Sequence, residues 1–377
     1  MNRIRCRRRN NWQETFLELG FSFSPEGARW NEGFCYEFSR REIDHIEEVT
    51  GDLHEMCMAA AGHVIETDLI SRLGIPARHH PLIRESWRDK DRSVCGRMDF
   101  VYNGRDEPRL LEYDADSPSG LFESAILQRL WLQDLFPDCD QFNSLHEKLA
   151  GVFKSLSAGN AGRQPFYFTC AGDRPGDFVT AGYLRDIASQ SGLDARHISM
   201  EDIGYDADSG SFIDPEKNGI RQMFKLCPWE RLLARDAGRF LSRKTIRVIE
   251  PAWKMVLSCR GLLPVLWEMF PGHPNLLPSY FGPGRISGDC VRKPLLSGKA
   301  SGTPFNGTSA RQEATDGTDR DSGFVYQKMD MLPNFEGSYA LVGSWVINTM
   351  PAGICIREDD TPITRDSSLI VPHFFLP

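Results

Sequence analysis

Residues 95–118 read CGRMDFVYNGRDEPRLLEYDADSP. Two runs with strand-like alternation flank NGRDEP, a string of turn formers, so the segment predicts an antiparallel hairpin with its turn over 103–108. In that hairpin Asp99 falls opposite Glu112 and Arg97 opposite Asp114. Side chains two apart share a face, so these four point one way. Met98, Phe100, Leu111 and Tyr113 are expected to point the other way, into a core. Facing carboxylates repel each other, more strongly as water is excluded. A cation is the simplest remedy. Asp99, Glu112 and Asp114 are hard oxygen donors suited to Mg²⁺, which leaves Arg97 to fork onto a phosphate. The plainer alternative is an exposed face of solvated salt bridges, and the hairpin alone slightly favours it.

The rest of the chain narrows the chemistry. Its 377 residues suffice for two or three lobes and a sizeable core. A hydrophobic share of 41% and a charged share of 25% are ordinary for a soluble globular protein. The net charge of -8 argues against nonspecific nucleic-acid binding. No apolar run reaches the roughly 18 residues needed to cross a bilayer, and no secretory apolar region is present. The expectation is a cytoplasmic protein with no membrane or nucleic-acid partner. The ten cysteines stand singly, with no Cys-x-x-Cys pair, so reduced thiols and no structural zinc are expected. The opening MNRIRCRRRN is basic without an apolar stretch and reads as a solvated tail; a nucleic-acid arm is the sharper alternative.

Hydrophobic spacing predicts a helix from Arg40 to about Leu73, with Ile43, Ile46, Val49, Leu53, Met56 and Ala60 on one face, stopped by Gly74 and Pro76. GLFESAILQRLWLQDLF, ending at Pro137, and FNSLHEKLAGVFKSL read as two more helices. Within residues 165–205, PFYFTCAG, TAGYLRDIASQSG and ARHISMEDI read as strand, helix and strand, the unit of a parallel sheet. EPAWKMVLSCRGLLPVLWEMF reads as one helix with a wide apolar face that carries Trp253 and Trp267 into the core. Residues 297–323 are polar and rich in Gly, Ser, Thr and Asp. They read as a mobile loop between the strand-like CVRKPLL and FVYQKM, so that 291–330 forms a lid.

Ten strings occur in order: NWQETFLELGFSF, DLHEMC, GRMDF, LLEYDADSPSGLFE, QFNSLHEKL, FKLCPWE, IEPAWKMVLS, LWEMFPGHPNLLP, VRKPLLS and VGSW…PAGICIREDDTPIT. Together they closely resemble the synthetase domain of the glutathionylspermidine synthase family, from about residue 8 to the C-terminus and without the family's amidase domain. The resemblance implies an α/β ATP-grasp fold with an associated βαβ (pre-ATP-grasp-like) lobe, the whole of 1–377 forming one synthetase unit. It implies a ligase that joins a carboxylate to an amine at the expense of ATP, through an acyl-phosphate, with ATP and Mg²⁺ required. The substrates implied are a glutathione-like peptide acid and a polyamine or other amine.

The same resemblance implies roles residue by residue. Arg97 meets the reacting phosphate; Asp99, Glu112 and Asp114 hold Mg²⁺, with Asp114 standing where the family has Asn. Ser117 and Ser119 contact the peptide substrate or its acyl-phosphate. Lys254 and Lys293 contact ATP phosphates, Gln327 lies near the nucleotide, and Arg357 is a second cation at the reaction centre. Taken without the resemblance, Lys254 would be a snorkelling surface lysine and Arg357 would pair with its neighbour Glu358. Asp99→Asn is then expected to remove Mg²⁺-dependent ATP binding with little loss of fold.

Two strings depart from the family pattern. Residues 297–303, SGKASGT, lack the Arg-Glu-Gly core of the family's phosphate lid, although Lys299 keeps a cation there. Where the family has an acidic pair suited to a polyamine, this chain has Pro175 and Gly176, leaving Asp177. The rival readings are therefore a nucleotide- or peptide-binding relative with a degenerate lid, and a magnesium phosphohydrolase built on the same carboxylates. His79, His80 and His273 sit in loop or turn strings and read as structural.

Overall fold

The structure is a computed structural model that describes residues 1–10, 12–18, 29–160, 164–172, 175–296, 305–306, 323–362 and 368–376. Its centre is an antiparallel sheet in the order Leu369–Val371, Met350–Asp359, Ser338–Ile347, Cys95–Val101 and Arg109–Asp114. The predicted hairpin is one edge of this sheet. Arg97 stands opposite Asp114 and Asp99 opposite Glu112, as the alternation requires. Beyond Asp99 the register shifts, so that Phe100 faces Leu110. Leu111 is the extra residue of a bulge. One side-chain placement is thereby corrected. Leu110, not Leu111, joins Met98, Phe100 and Tyr113 in the main core, while Leu111 packs on a small cluster with Val101, Leu332 and Leu341.

The back face of the sheet is covered by the helix Arg40–Glu66. Ser39 and Glu42 form a reciprocal capping box at its start; Ile43, Ile46, Val49, Leu53 and Ala60 are buried as the spacing requires, and Met56 is only partly so. The helix ends at Glu66 rather than Leu73. A separate short turn, Ile70–Leu73, follows and is closed by Gly74 in the left-handed region. Residues 121–135 and Leu145–Gly159 are helical as read, the first containing a one-turn widening at Glu123–Leu127.

A second, parallel sheet runs Arg247–Ile249, Gln222–Leu226, Phe166–Cys170 and Ala195–His197. The helix Pro175–Gln190 crosses between its last two strands, giving the strand–helix–strand order read from residues 165–205. The final strand is only three residues long, because the chain turns at Met200–Asp202. A third sheet carries Cys290–Pro294 against Phe324–Lys328. The intervening loop, including 297–303 and Lys299, lies outside the described residues except for Phe305–Asn306, which pairs with Cys290–Pro294.

The segment read as one helix after Pro251 is two, Lys254–Ser258 and Leu262–Met269. At the break, the Cys259 thiol and the Arg260 amide both donate to the Leu295 carbonyl. Trp253 is buried at the start of this segment, while Trp267 is only partly so. Among the described residues no helix is long and apolar enough to cross a membrane.

Candidate active site

The front face of the antiparallel sheet gathers the charges. Asp99, Gly343 and Cys355 lie side by side on three neighbouring strands. Arg357, two residues beyond Cys355, shares their face. Arg97 and Asp99 are 3% and 1% exposed. Arg97 forks onto Asp99, with Nε donating to Oδ1 at 2.6 Å and Nη2 to Oδ2 at 3.0 Å. Its Nη1 donates to the Ser119 carbonyl at 2.5 Å, and the guanidinium lies 5.6 Å from the Trp345 ring centroid. Burial works against the Arg97 charge, but Asp99 outweighs it and the guanidinium stays protonated. Arg357 Nη1 reaches Asp99 Oδ2 at 3.2 Å, whereas its neighbour Glu358 binds Arg3 and Tyr36 on the opposite side. The strand therefore separates Arg357 from Glu358 and turns the arginine toward the cluster.

Gly343 makes room for the Arg97 fork. A Cβ there would stand 2.8 Å from Arg97 Cδ and 2.9 Å from Cys355 Sγ. Gly343→Ala is therefore expected to push Arg97 out of its fork and to cost about 1–3 kcal/mol. A urea titration checks the stability, and a loss of turnover larger than the stability loss predicts would mark the displaced arginine.

Lys293 comes from the third sheet. Its Nζ donates to the Leu111 carbonyl at 3.0 Å and to Gln327 Oε1 at 2.7 Å, and Gln327 Nε2 donates to the Leu110 carbonyl at 3.2 Å. The bulge at Leu111 thus presents carbonyls to the lysine and glutamine that the sequence singled out. Burial brings Lys293 down to about 8, with Glu112 opposing. Arg260, from the break between the two helices, donates to Glu112 Oε2 at 3.0 Å. Burial alone would raise Glu112, yet Arg260, Lys293 and Arg357 hold it at about 2.

Lys254 is placed differently. It is buried rather than snorkelling, and its Nζ lies 2.6 Å from Glu250 Oε2 and 2.6 Å from the Cys95 carbonyl. Glu250 also accepts from the amides of Val94 and Cys95. This pair ties the end of the parallel sheet to the start of the hairpin strand, and its partners differ from those of Lys293. Ser117 and Ser119 lie partly exposed in the turn after Asp114. That turn is held by Ser258, whose Oγ accepts from the amides of Ala115 and Asp116. Asp116 is buried and paired with Lys225 of the parallel sheet.

One carboxylate of the set, Asp114, is open to a divalent cation. Asp114 meets no hydrogen-bond donor from its carboxylate among the described residues, although it sits beside Asp99, Glu112 and Asp116. Burial, reinforced by those three carboxylates and opposed by Arg97, pushes it up to about 6. Asp99 and Glu112 are at present engaged by guanidinium groups, and among the described residues no three acidic, His or Cys side chains stand together as a metal cage. Four cations (Arg97, Arg260, Lys293 and Arg357) face these three carboxylates, an excess suited to a polyanion with its metal.

The expectation that Asp99→Asn leaves the fold nearly unchanged needs revision, because Asp99 is the buried counter-ion of Arg97. His79 and His80 are not in a loop as read: His79 closes the helical turn Ala77–His79, and His80 opens the helix His80–Arg88 and bonds the Ile75 carbonyl, while His273 accepts from the Asn275 amide. Arg260, Gly343, Glu250, Ser258 and Lys225 were not singled out from sequence. The signals for two of them were present: a glycine inside the apolar strand VGSW, and Arg-Gly interrupting an apolar helix.

With the geometry described, comparison with known proteins gives the family. The description "Glutathionylspermidine synthase preATP-grasp" matches residues 3–376. The chain belongs to the glutathionylspermidine synthase family. Within that family it is 35% identical over 384 residues to a Haemophilus influenzae protein named "Putative acid–amine ligase", covering 97% of this chain and 96% of that one. It is 26% identical to the bifunctional glutathionylspermidine synthetase/amidase of Escherichia coli, covering 89% of this chain but 58% of that protein. It is 27% identical to the trypanothione synthetase of Crithidia fasciculata, covering 83% of this chain and 52% of that one. Among solved structures, a glutathione synthetase-like effector from Globodera pallida superposes with a TM-score of 0.58 at 12% identity, covering 90% of this chain and 88% of that one. That likeness concerns the fold. The family and the fold neighbour agree on the α/β ATP-grasp class expected from the sequence.

Proposed function

We propose that this member of the glutathionylspermidine synthase family is an ATP- and Mg²⁺-dependent ligase that joins a peptide carboxylate to an amine through an acyl-phosphate. The observation that carries the reading is the convergence of Asp99, Glu112 and Asp114 with Arg97, Arg357 and Lys293 from four strands in two sheets. Bound ATP with Mg²⁺ would supply the phosphoryl group that activates the acid. Asp99, Glu112 and Asp114 would hold the metal. Lys293 and Gln327 would hold the nucleotide, and Arg97 and Arg357 would offset charge on the reacting phosphate. Ser117 and Ser119 would face the peptide acid.

Lys254 can reach a phosphate only by leaving Glu250 and the Cys95 carbonyl, so we assign it to holding the hairpin strand in place. The acid and amine follow the names of the relatives: a glutathione-like peptide and a polyamine. The test is ADP release with glutathione and spermidine, together and singly. Release that needs both, with an adduct detected by mass, is the expected result. Release without amine would identify a phosphohydrolase. Nucleotide binding without turnover would identify the lid-impaired relative.

A further inference from the structure

Cys6 and Cys35 stand apart in sequence but meet in the fold. Their strands pair antiparallel, with Ile4 opposite Cys35, and the Cys6 amide donates to the Gly33 carbonyl at 3.0 Å. Cys6 and Cys35 therefore lie diagonally on one face, with their sulfurs 2.7 Å apart. That is inside ordinary contact, so a small movement brings the sulfurs to the ~2.05 Å of a disulfide. Cys35 is fully buried, and Cys6 is partly exposed. The Cys6 side is cationic: Arg7 and Arg8 follow it, both exposed, and the Arg8 guanidinium lies against Gly33. Partial exposure makes Cys6 the accessible thiol of the pair. Consistently, the hydrogen bond with Cys35 lowers Cys6 against the opposing effect of burial, while the same bond and burial raise Cys35. One thiol is set to attack and the other to resolve.

We propose that Cys6 and Cys35 form a redox dithiol that closes to a disulfide on reaction with a low-molecular-weight disulfide. The Cys6 thiolate attacks one sulfur of the small disulfide, forming a mixed disulfide and releasing one small thiolate. Cys35, losing its proton to solvent or to that thiolate, attacks the Cys6 sulfur and releases the second small thiol. The protein loses two electrons and two protons, and the small disulfide gains them. The cross-link pins the strand Asn2–Arg5, whose Arg3 grips Glu358 beside Arg357. It therefore bears on the strand that presents the Arg357 cation.

The test uses the full chain with glutathione disulfide, followed by alkylation, intact mass and peptide mapping. The expected product has lost two hydrogens and contains a Cys6–Cys35 linked peptide. Cys35→Ser should instead accumulate a glutathione adduct on Cys6, because the resolving thiol is gone. Cys6→Ser should leave Cys35 unmodified. Partly exposed Cys139, which packs against the same cluster as Cys35, provides the control. A link to Cys139, a stable glutathione adduct on Cys6 in the unsubstituted protein, or a free Cys6 after treatment would each overturn the proposal.

Discussion

Replacing Asp99 by alanine is expected to abolish ligase turnover and to cost about 3–5 kcal/mol of stability. The stability loss follows from what remains behind. Arg97 keeps the Ser119 carbonyl and the Trp345 ring but loses its counter-ion in a place that water does not reach. A buried guanidinium without a carboxylate is among the most destabilising features a single substitution can create. Turnover fails for a second reason, because on the proposed reading Asp99 is both a metal ligand and the anchor of Arg97 and Arg357. A double replacement separates the two roles. Arg97→Met with Asp99→Leu should recover part of the lost stability, since it removes the Arg97 charge together with its counter-ion while Arg357 still loses its Asp99 contact, and should recover none of the activity. Denaturation midpoints and ADP release measure the two effects. A single variant that keeps near-normal stability and turnover would contradict both assignments.

Acid is expected to unfold the protein well above the range in which its surface carboxylates titrate. His54 is buried, with Nδ1 bonded to the Tyr113 hydroxyl at 3.0 Å and no partner for Nε2 among the described residues. Burial, with Lys254 adding to it, brings His54 down to about 4. His373 is likewise buried, its Nδ1 2.9 Å from Gln128 Oε1 and its Nε2 without a partner among the described residues. Burial alone brings it down to about 3.

Both rings fold as neutral groups, whereas the unfolded chain takes up their protons near pH 6.5. The stability they confer is complete above about pH 6.5 and drains away as pH falls toward 4 for His54 and 3 for His373. Linkage puts the loss at about 2 kcal/mol for each by pH 5. Urea midpoints at pH 7.5 and pH 5 measure it, and His54→Gln with His373→Asn should narrow the gap between them. An unchanged gap in that variant would mean that other groups carry the acid sensitivity.

Much of the hairpin was legible from residues 95–118 alone. Alternation has a period set by covalent geometry, and a turn string marks where it reverses, so the pairing of Asp99 with Glu112 and of Arg97 with Asp114 needed no knowledge of the rest of the chain. The same local logic read the two strand-like segments that carry Lys293 and Gln327 and gave the strand–helix–strand unit, while the pairing of those two segments came from the fold. Local logic also had a limit within the hairpin. The bulge at Leu111 reverses one side chain, because pairing with the neighbouring strand, and not the run's own period, decides where an extra residue is absorbed.

What the tertiary structure alone decided was which charges meet. Lys254 could not be distinguished by sequence from a surface lysine or a phosphate ligand, because its partner Glu250 is close in sequence but its role depends on the hairpin strand more than a hundred residues earlier. Arg260 reaches Glu112 only because the apolar helix breaks, and Arg97 forks onto Asp99 only because Gly343 leaves its side chain room. Periodicity is written into each segment of the chain. The counter-ion of a buried charge is chosen by sheet order, and sheet order is settled only when the distant strands pack and water is excluded.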